Sequence, residues 1–310
     1  MITQKILLLC NNRMAYPSIQ FLAKQDLLVG IVIPSTNSDV LADCTSMFHG
    51  STTPPVVSIM KEQLESKIHE LIETLNVTNC LIMTFPWKIP NTLLNQKKCS
   101  FYNFHFGLLP ELRGVDPIFE AIRKNFLETA ICIHRVTDRI DKGPIVFTQK
   151  IPLNEEVTHG SLCSVFGNTA TQSCLHLMQH LIQNKLLQEV NQNEEKANYY
   201  GKPSLNDVLI NWNSMDRNEI HALVRACNPW NKGAYTRFNN WAFRILSFSK
   251  VSSTNANLPS GTITVTKDGE YHVSCIDEKI LKIELFYTDE GYFKGSQLKN
   301  YGLKNNDRLF

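Results

Sequence analysis

The first half of the chain alternates short apolar runs with amphipathic stretches. Lys5-Ile-Leu-Leu-Leu9 and Leu27 to Ile33 are near-continuous apolar runs of strand length, the pattern of strands buried on both faces. Pro17 opens a helix carrying Ile19, Phe21 and Leu22. Residues 34–55 are polar and turn-rich and read as irregular. From Met60 to Leu75 the apolar positions Met60, Leu64, Ile68, Leu71, Ile72 and Leu75 recur at helical spacing. Cys80 to Phe85 reads as a strand closed by Pro86 and Pro90. Phe101, Tyr102, Phe104 and Phe106 form an aromatic strand that Gly107 and Pro110 stop. A helix follows through Ile118, Ile122 and Phe126, then strands over Thr129 to Val136 and Ile145 to Ile151, then a long helix from Gly160 to Gln183. Strands alternating with helices predict an α/β unit with a largely parallel sheet and helices on both faces.

After Asn184 the pattern changes. A stretch rich in Gln, Asn, Glu and Lys ends in Gly201-Lys-Pro203 and reads as a linker. One helix, Arg217 to Cys227, is then followed by short runs at Gly233 to Phe238, Ala242 to Val251, Gly261 to Thr266, Tyr271 to Cys275 and Ile280 to Tyr287, with Asn-Asn, Lys-Asp-Gly and Ser-Thr-Asn turns between them. That is the pattern of a small antiparallel barrel or sandwich. The expected organisation is a catalytic domain over 1–185, a linker over 186–206 and a β domain over 207–310.

Composition narrows the class. A chain of 310 residues is comfortable for two domains. The net charge of +2 makes no case for a strong polyanion partner. No run of 18 apolar residues suggests a membrane span, and Met1 to Cys10 reads as a core strand rather than a signal peptide. The nine cysteines are scattered singly with no Cys-x-x-Cys, which suits buried thiols in a reducing cytoplasm. His176 and His180 share a helix face, but no Glu follows His176 and no third ligand lies nearby, so no metal site is expected. No Gly-x-Gly-x-x-Gly or Walker pattern is present.

Candidate chemistry gathers at the aromatic strand. Asn103 and His105 alternate with its aromatics, so both face one side at the carboxyl end of a strand, where open α/β sheets place ligands. Asp138-Arg-Ile-Asp141-Lys-Gly143 occupies a second such place. An amide and an imidazole converging on one point can stabilise an oxyanion; a nearby Asp can orient the imidazole or take a proton. No Ser or Cys lies beside the pair in sequence, which favours direct attack by a substrate amine on an activated acyl group. The alternatives are plain ones: Asn103 as a turn former at the strand end, His105 as a satisfied half-buried histidine.

Asn103-x-His105-x-x-Leu-Leu-Pro-x-x-Arg113-Gly114, followed by Asp141-x-Gly-x-Ile145, resembles the folate-dependent formyltransferase family. So do Phe85-Pro-Trp-Lys-Ile-Pro90, Tyr199-Tyr-Gly-Lys-Pro203, Ile210-Asn-Trp212 and Arg225-Ala-Cys-Asn-Pro-Trp-Asn-Lys-Gly-Ala234. The resemblance implies a Rossmann-like, mostly parallel sheet domain followed by an OB-like barrel, with 10-formyltetrahydrofolate as donor. It implies that Asn103 and His105 hold the formyl oxygen and that Asp141 is the catalytic carboxylate. It further implies a pterin pocket from Phe85, Pro86, Lys88, Ile89, Pro90, Leu109, Thr137, Asp138, Arg139 and Ile140. The acceptor-side candidates are Asn11, Met14, Arg113 and Asp116, with Asp116 alternatively a helix cap. His134 is either a supporting catalytic group or a structural histidine.

The acceptor is read from charge. The region Pro34 to Pro55 contains no Lys or Arg, whereas methionyl-tRNA formyltransferases carry a basic loop there. Phosphate contacts dominate nucleic-acid affinity, so tRNA ranks behind a small amine such as an amino-sugar nucleotide or an amino-acid or hydroxylamine intermediate. Formyltetrahydrofolate hydrolase ranks lower again, because those members typically carry an N-terminal regulatory domain and this chain opens on its first strand. A folate-binding relic fits poorly with an intact triad.

Overall fold

The computed structural model of the chain describes residues 4–48, 54–254 and 258–310. The turns expected at Thr52-Thr53 and around Asn255 lie outside the described residues. The chain divides into two compact units. One comprises residues 1–117, 128–151 and 163–200, the other 118–127, 152–162 and 201–310.

The first unit is built on β1 (Ile6–Cys10), α1 (Tyr16–Lys24), β2 (Leu28–Pro34), α2 (Ser38–Met47), β3 (Val56–Ile59), α3 (Leu64–Leu75), β4 (Asn79–Met83), α4 (Asn91–Leu94) and β5 (Ser100–His105). It continues through β6 (Arg113–Gly114), α5 (Pro117–Arg123), β7 (Glu128–Arg135), β8 (Ile145–Pro152), α6 (His159–Ile182) and β9 (Tyr199–Tyr200), with α5, β8 and α6 running on into the second unit. Seven strands form one sheet in the order β3-β2-β1-β4-β5-β7-β8. The pairs from β3 to β5 are parallel, and β5 pairs antiparallel with β7. β1 and β4 are buried at every residue, as their unbroken apolar runs require. One face carries Leu7, Leu9, Val32, Cys80, Ile82 and Phe101 against Leu64, Ile68, Leu71 and Ile72 of α3. Burial of each such helix side chain contributes about 2 kcal/mol. Asn76, in the left-handed region at φ 53°, ends that helix.

Residues 34–55 are not irregular throughout. Asn37 accepts from the Val40 N–H and starts α2, which buries Val40 and Cys44. With only two buried positions in ten residues, α2 leaves little apolar period to read.

The second unit contains α7 (Arg217–Ala226), started by a capping box of Asp216 and Glu219. Its strands β10 (Ala234–Phe238), β11 (Trp241–Thr254), β12 (Ile263–Val265), β13 (Tyr271–Ser274), β14 (Lys279–Thr288) and β15 (Gly291–Lys294) form an antiparallel sheet. Trp212 is buried and donates to Thr236 Oγ1 at 2.9 Å. Arg225 donates to the carbonyls of Asn154 and Val157 and to Asn125, which ties residues 118–127 and 152–162 into this unit. Tyr235, Arg244, Tyr287 and Tyr292 are successive cross-strand partners, with Arg244 over both the Tyr235 and Tyr287 rings. No helix among the described residues is long and apolar enough to cross a membrane.

Candidate active site

β5 delivers Asn103 and His105 to the carboxyl end of the sheet, and its antiparallel partner supplies the groups opposite. Asn103 pairs in register with His134, and His105 with Cys132. Directly opposed residues share a face, so the four side chains belong to one side. The His134 Nδ1 lies 2.8 Å from the Arg135 carbonyl and must donate to it. Its Nε2 is thereby the acceptor for the Asn103 amide at 3.0 Å. One Asn103 N–H is held in this way, and an amide has two.

His105 is buried, and its Nε2 donates to the Leu112 carbonyl at 2.7 Å. Its Nδ1 faces Asp141 Oδ1 at 3.5 Å. Asp141 Oδ1 lies 3.6 Å from His134 Nε2, while its Oδ2 accepts from the Gly114 N–H at 3.0 Å. Burial works to lower the His105 pKa, but the adjacent Asp141 charge and the hydrogen bonds outweigh it and raise the value above 6.5. For Asp141 burial again opposes the charged form, and the charges and hydrogen bonds of His105 and His134 outweigh it, holding the carboxyl well below its ordinary range. The centre is therefore a buried His105–Asp141 pair, each drawn toward its charged form by the other, beside a His134 whose Nε2 orients the Asn103 amide. The Cys132 thiol opposite is pushed up to about 11 by burial, so it remains protonated and is a poor nucleophile.

The backbone around Asp141 is specialised. Asp141 sits in the left-handed region at φ 54°. At Gly143 an added Cβ would meet the Arg135 carbonyl at 1.8 Å. The turn after β7 closes against its own strand there, with Arg135 donating to the Pro144 carbonyl, and a larger residue would push Asp141 away.

The other expected site residues are distributed unevenly. Ile89 is buried in the large core cluster of the sheet, against which Phe85, Trp87 and Val136 also pack. Pro90 is half-buried there, and Pro86 and Lys88 are exposed. Thr137 is half-buried with its hydroxyl on the Arg139 carbonyl, and Asp138, Arg139 and Ile140 are exposed. The Leu109 side chain packs instead with Ala130 and Cys132 in a separate cluster. Asn11 is bonded to the Asn37 amide through both its carbonyl and its Oδ1. Met14 is buried, with its backbone against Gly167. Asp116 is half-buried, directly before α5.

Arg113, expected on the acceptor side, lies inside the protein. It is fully buried, and all three guanidinium nitrogens bond to Gln192, Glu194 and Tyr199. Its side chain is committed to the protein. The stretch read as a linker is also engaged: Val190 bridges Ile145, and β9 pairs with β6. His176 stacks on Phe147 at 4.2 Å. No group of three potential metal ligands occurs among the described residues.

The mostly parallel sheet with its helices, the polar cluster at its carboxyl end and the antiparallel sheet of the second unit are the architecture of an α/β protein with a β domain. Comparison with known proteins gives the family. A model described as formyl transferase matches residues 21–175, and one described as formyl transferase, C-terminal domain, matches residues 204–291. The chain belongs to the formyl transferase family. It is 26% identical over 220 residues to a methionyl-tRNA formyltransferase of Orientia tsutsugamushi, covering 70% of each chain. It is 32% identical over 181 residues to that of Marinobacter nauticus, covering 58% of this chain and 57% of the other. Among solved structures it resembles the N-formyltransferase of Helicobacter canadensis in complex with folinic acid and dTDP-3-aminofucose. There the TM-score is 0.70 and the identity 18%, over 90% of this chain and 98% of the other.

Proposed function

We propose that the protein moves the formyl group of 10-formyltetrahydrofolate to the amine of a small molecule. The observation that carries the reading is the buried His105–Asp141 pair beside the His134-oriented Asn103 amide. The neutral acceptor amine attacks the formyl carbon, and the carbonyl π electrons move onto its oxygen. The second Asn103 N–H donates to that oxyanion, and the His105 imidazolium, its own N–H groups turned to Leu112 and Asp141, stabilises it through its charge. Asp141 receives, directly or through water, the proton that the attacking nitrogen sheds. Collapse then expels the folate nitrogen, which takes up a proton, leaving a formamide and tetrahydrofolate. The 85–90 loop and the 136–141 turn hold the pterin, and Asp116 addresses the acceptor. The folinic acid complex of the Helicobacter canadensis relative supports the donor, and its amino-sugar nucleotide supports an acceptor of that class.

The absence of Lys and Arg from Pro34 to Pro55 favours a small acceptor over tRNA. Methionyl-tRNA is the second reading. The names of the curated relatives favour it. A panel of amino-sugar nucleotides, amino acids, hydroxylamines and initiator methionyl-tRNA, each given with 10-formyltetrahydrofolate, tests the assignment. Formylation of a small amine with weak tRNA binding is expected. Sub-micromolar tRNA binding that falls steeply with salt, together with tRNA formylation, would replace the first reading by the second.

A further inference from the structure

The Gln192 amide has four hydrogen-bonding positions, and all four are used. Its Oε1 accepts from Arg113 Nε at 3.0 Å and from Arg113 Nη2 at 2.8 Å. Its Nε2 donates to the carbonyls of Asp141 and Gly143, each at 2.8 Å. This saturates a primary amide and fixes its orientation, because a flipped amide would set donors against donors and acceptors against acceptors. Arg113 is buried and cannot move away; Glu194 and Tyr199 hold its remaining donors.

The contacts close a ring. Gly114 N–H binds the Asp141 carboxylate, Arg113 is the preceding residue, Arg113 binds Gln192, and Gln192 binds the Asp141 main chain. Leu112, one residue earlier, accepts from His105. Three consecutive residues, Leu112, Arg113 and Gly114, therefore reference both members of the catalytic pair. Asp141 needs such support because it occupies the left-handed region, which a residue with a Cβ adopts only when its surroundings impose it.

We propose that Gln192 is a positioning residue for formyl transfer, pinning the Asp141 turn so that the carboxylate faces His105. Its role lies in a stretch of low-complexity composition with no motif, and it rests on the reading of Asp141 and His105 as the catalytic pair. Without the Gln192 donors, Asp141 relaxes toward right-handed backbone and its carboxylate swings off the imidazole. The groups that face His105 are the Asp141 carboxylate, the Arg113 guanidinium, the His134 ring, the Leu112 carbonyl and the Cys132 thiol. Of these, Asp141 is the principal charge that raises its pKa.

The test is Gln192→Ala, read by NMR titration of the His105 ring and by steady-state kinetics on the full chain. A lower His105 pKa is expected, with kcat at least about tenfold down. Gln192→Glu is the second variant. It keeps an acceptor for Arg113, and so keeps residues 192–199 attached, but loses both donors. Its new carboxylate would by itself raise the His105 pKa, so a fall in that pKa identifies displacement of Asp141. An unchanged His105 titration and kcat in both variants, whatever happens to thermal stability, would overturn the proposal. The NMR arm needs no turnover. A lowered His105 pKa in a protein that formylates nothing would uphold the positioning role and reject the transfer reading instead.

Discussion

Asp141→Asn removes the charge at the centre of the site while keeping its shape. The replacement can still accept from Gly114 N–H through its Oδ1, so the Asp141 turn should hold. What disappears is the attraction between the carboxylate and the His105 ring 3.5 Å away. Unit charges at that distance attract by about 5 kcal/mol at an effective dielectric of about 20. Burial is the opposing influence, and once Asp141 is neutral it dominates. The His105 pKa should therefore cross from above 6.5 in the wild type to below it in the variant. At neutral pH the variant loses the imidazolium and the proton acceptor together. Each loss alone is of order 10²- to 10³-fold in rate. Because they act as one unit the effects do not multiply fully. A kcat about 10³- to 10⁴-fold lower is expected, which is roughly 4–5.5 kcal/mol of barrier. Tetrahydrofolate release measured by absorbance gives kcat, and ring NMR gives the His105 titration. Folate KM should stay within about threefold, since the Asn keeps the Gly114 contact and with it the backbone of the 136–141 turn. A kcat within tenfold of wild type, or an unmoved His105 pKa, would refute the pairing argument.

Asn103→Ala should lower kcat about 100-fold or more through the lost oxyanion donor, with little change in folding; near-normal turnover would remove Asn103 from the mechanism. Gly143→Ala must displace the Arg135 carbonyl that its Cβ would meet at 1.8 Å, so denaturant unfolding should show a loss of about 2 kcal/mol or more, and a change under ~0.5 kcal/mol would contradict the geometry. The His105–Asp141 pair also links stability to pH. The His105 contribution is fully present below its ordinary value of 6.5 and is lost as pH rises through its raised folded pKa, and the Asp141 contribution is present above 3.8 and is lost as pH falls toward its depressed one. Thermal scans of wild type minus Asp141→Asn should thus show a difference that shrinks as pH rises above 6.5, and a difference that instead grew over that alkaline range would reverse the assignment. Asp116→Asn should raise the acceptor KM with folate KM unchanged, and equal acceptor kinetics would leave Asp116 no role in the acceptor site.

Where one periodicity ruled, the sequence was readable. The unbroken apolar runs of β1 and β4, the helical stripe of α3 and the period-2 strand bearing Asn103 and His105 all appear as read. The exchange from alternating to antiparallel architecture was legible from the spacing of turns after Arg217. The readings missed where stability comes from contacts distant in sequence. The helix α2 buries only two side chains and depends on the Asn37 cap. The partners of Arg113 lie 79 to 86 residues away, where no local pattern announces them. Gln192 sits among other Gln, Asn and Glu residues, so nothing local distinguishes it from solvated neighbours. His134 was visible as a candidate, but its tautomer follows from a carbonyl contact that only the folded strand supplies.

The fate of the formyl carbon tests the central claim most directly. With 10-formyltetrahydrofolate labelled at that carbon and the amine panel present, the wild-type protein should place the label in a formamide, one equivalent per tetrahydrofolate released. Asp141→Asn should do so at least about 10³-fold more slowly. Label recovered as free formate at the same rate with or without an amine would contradict transfer, and label that reached the amine equally fast in Asp141→Asn would contradict the site.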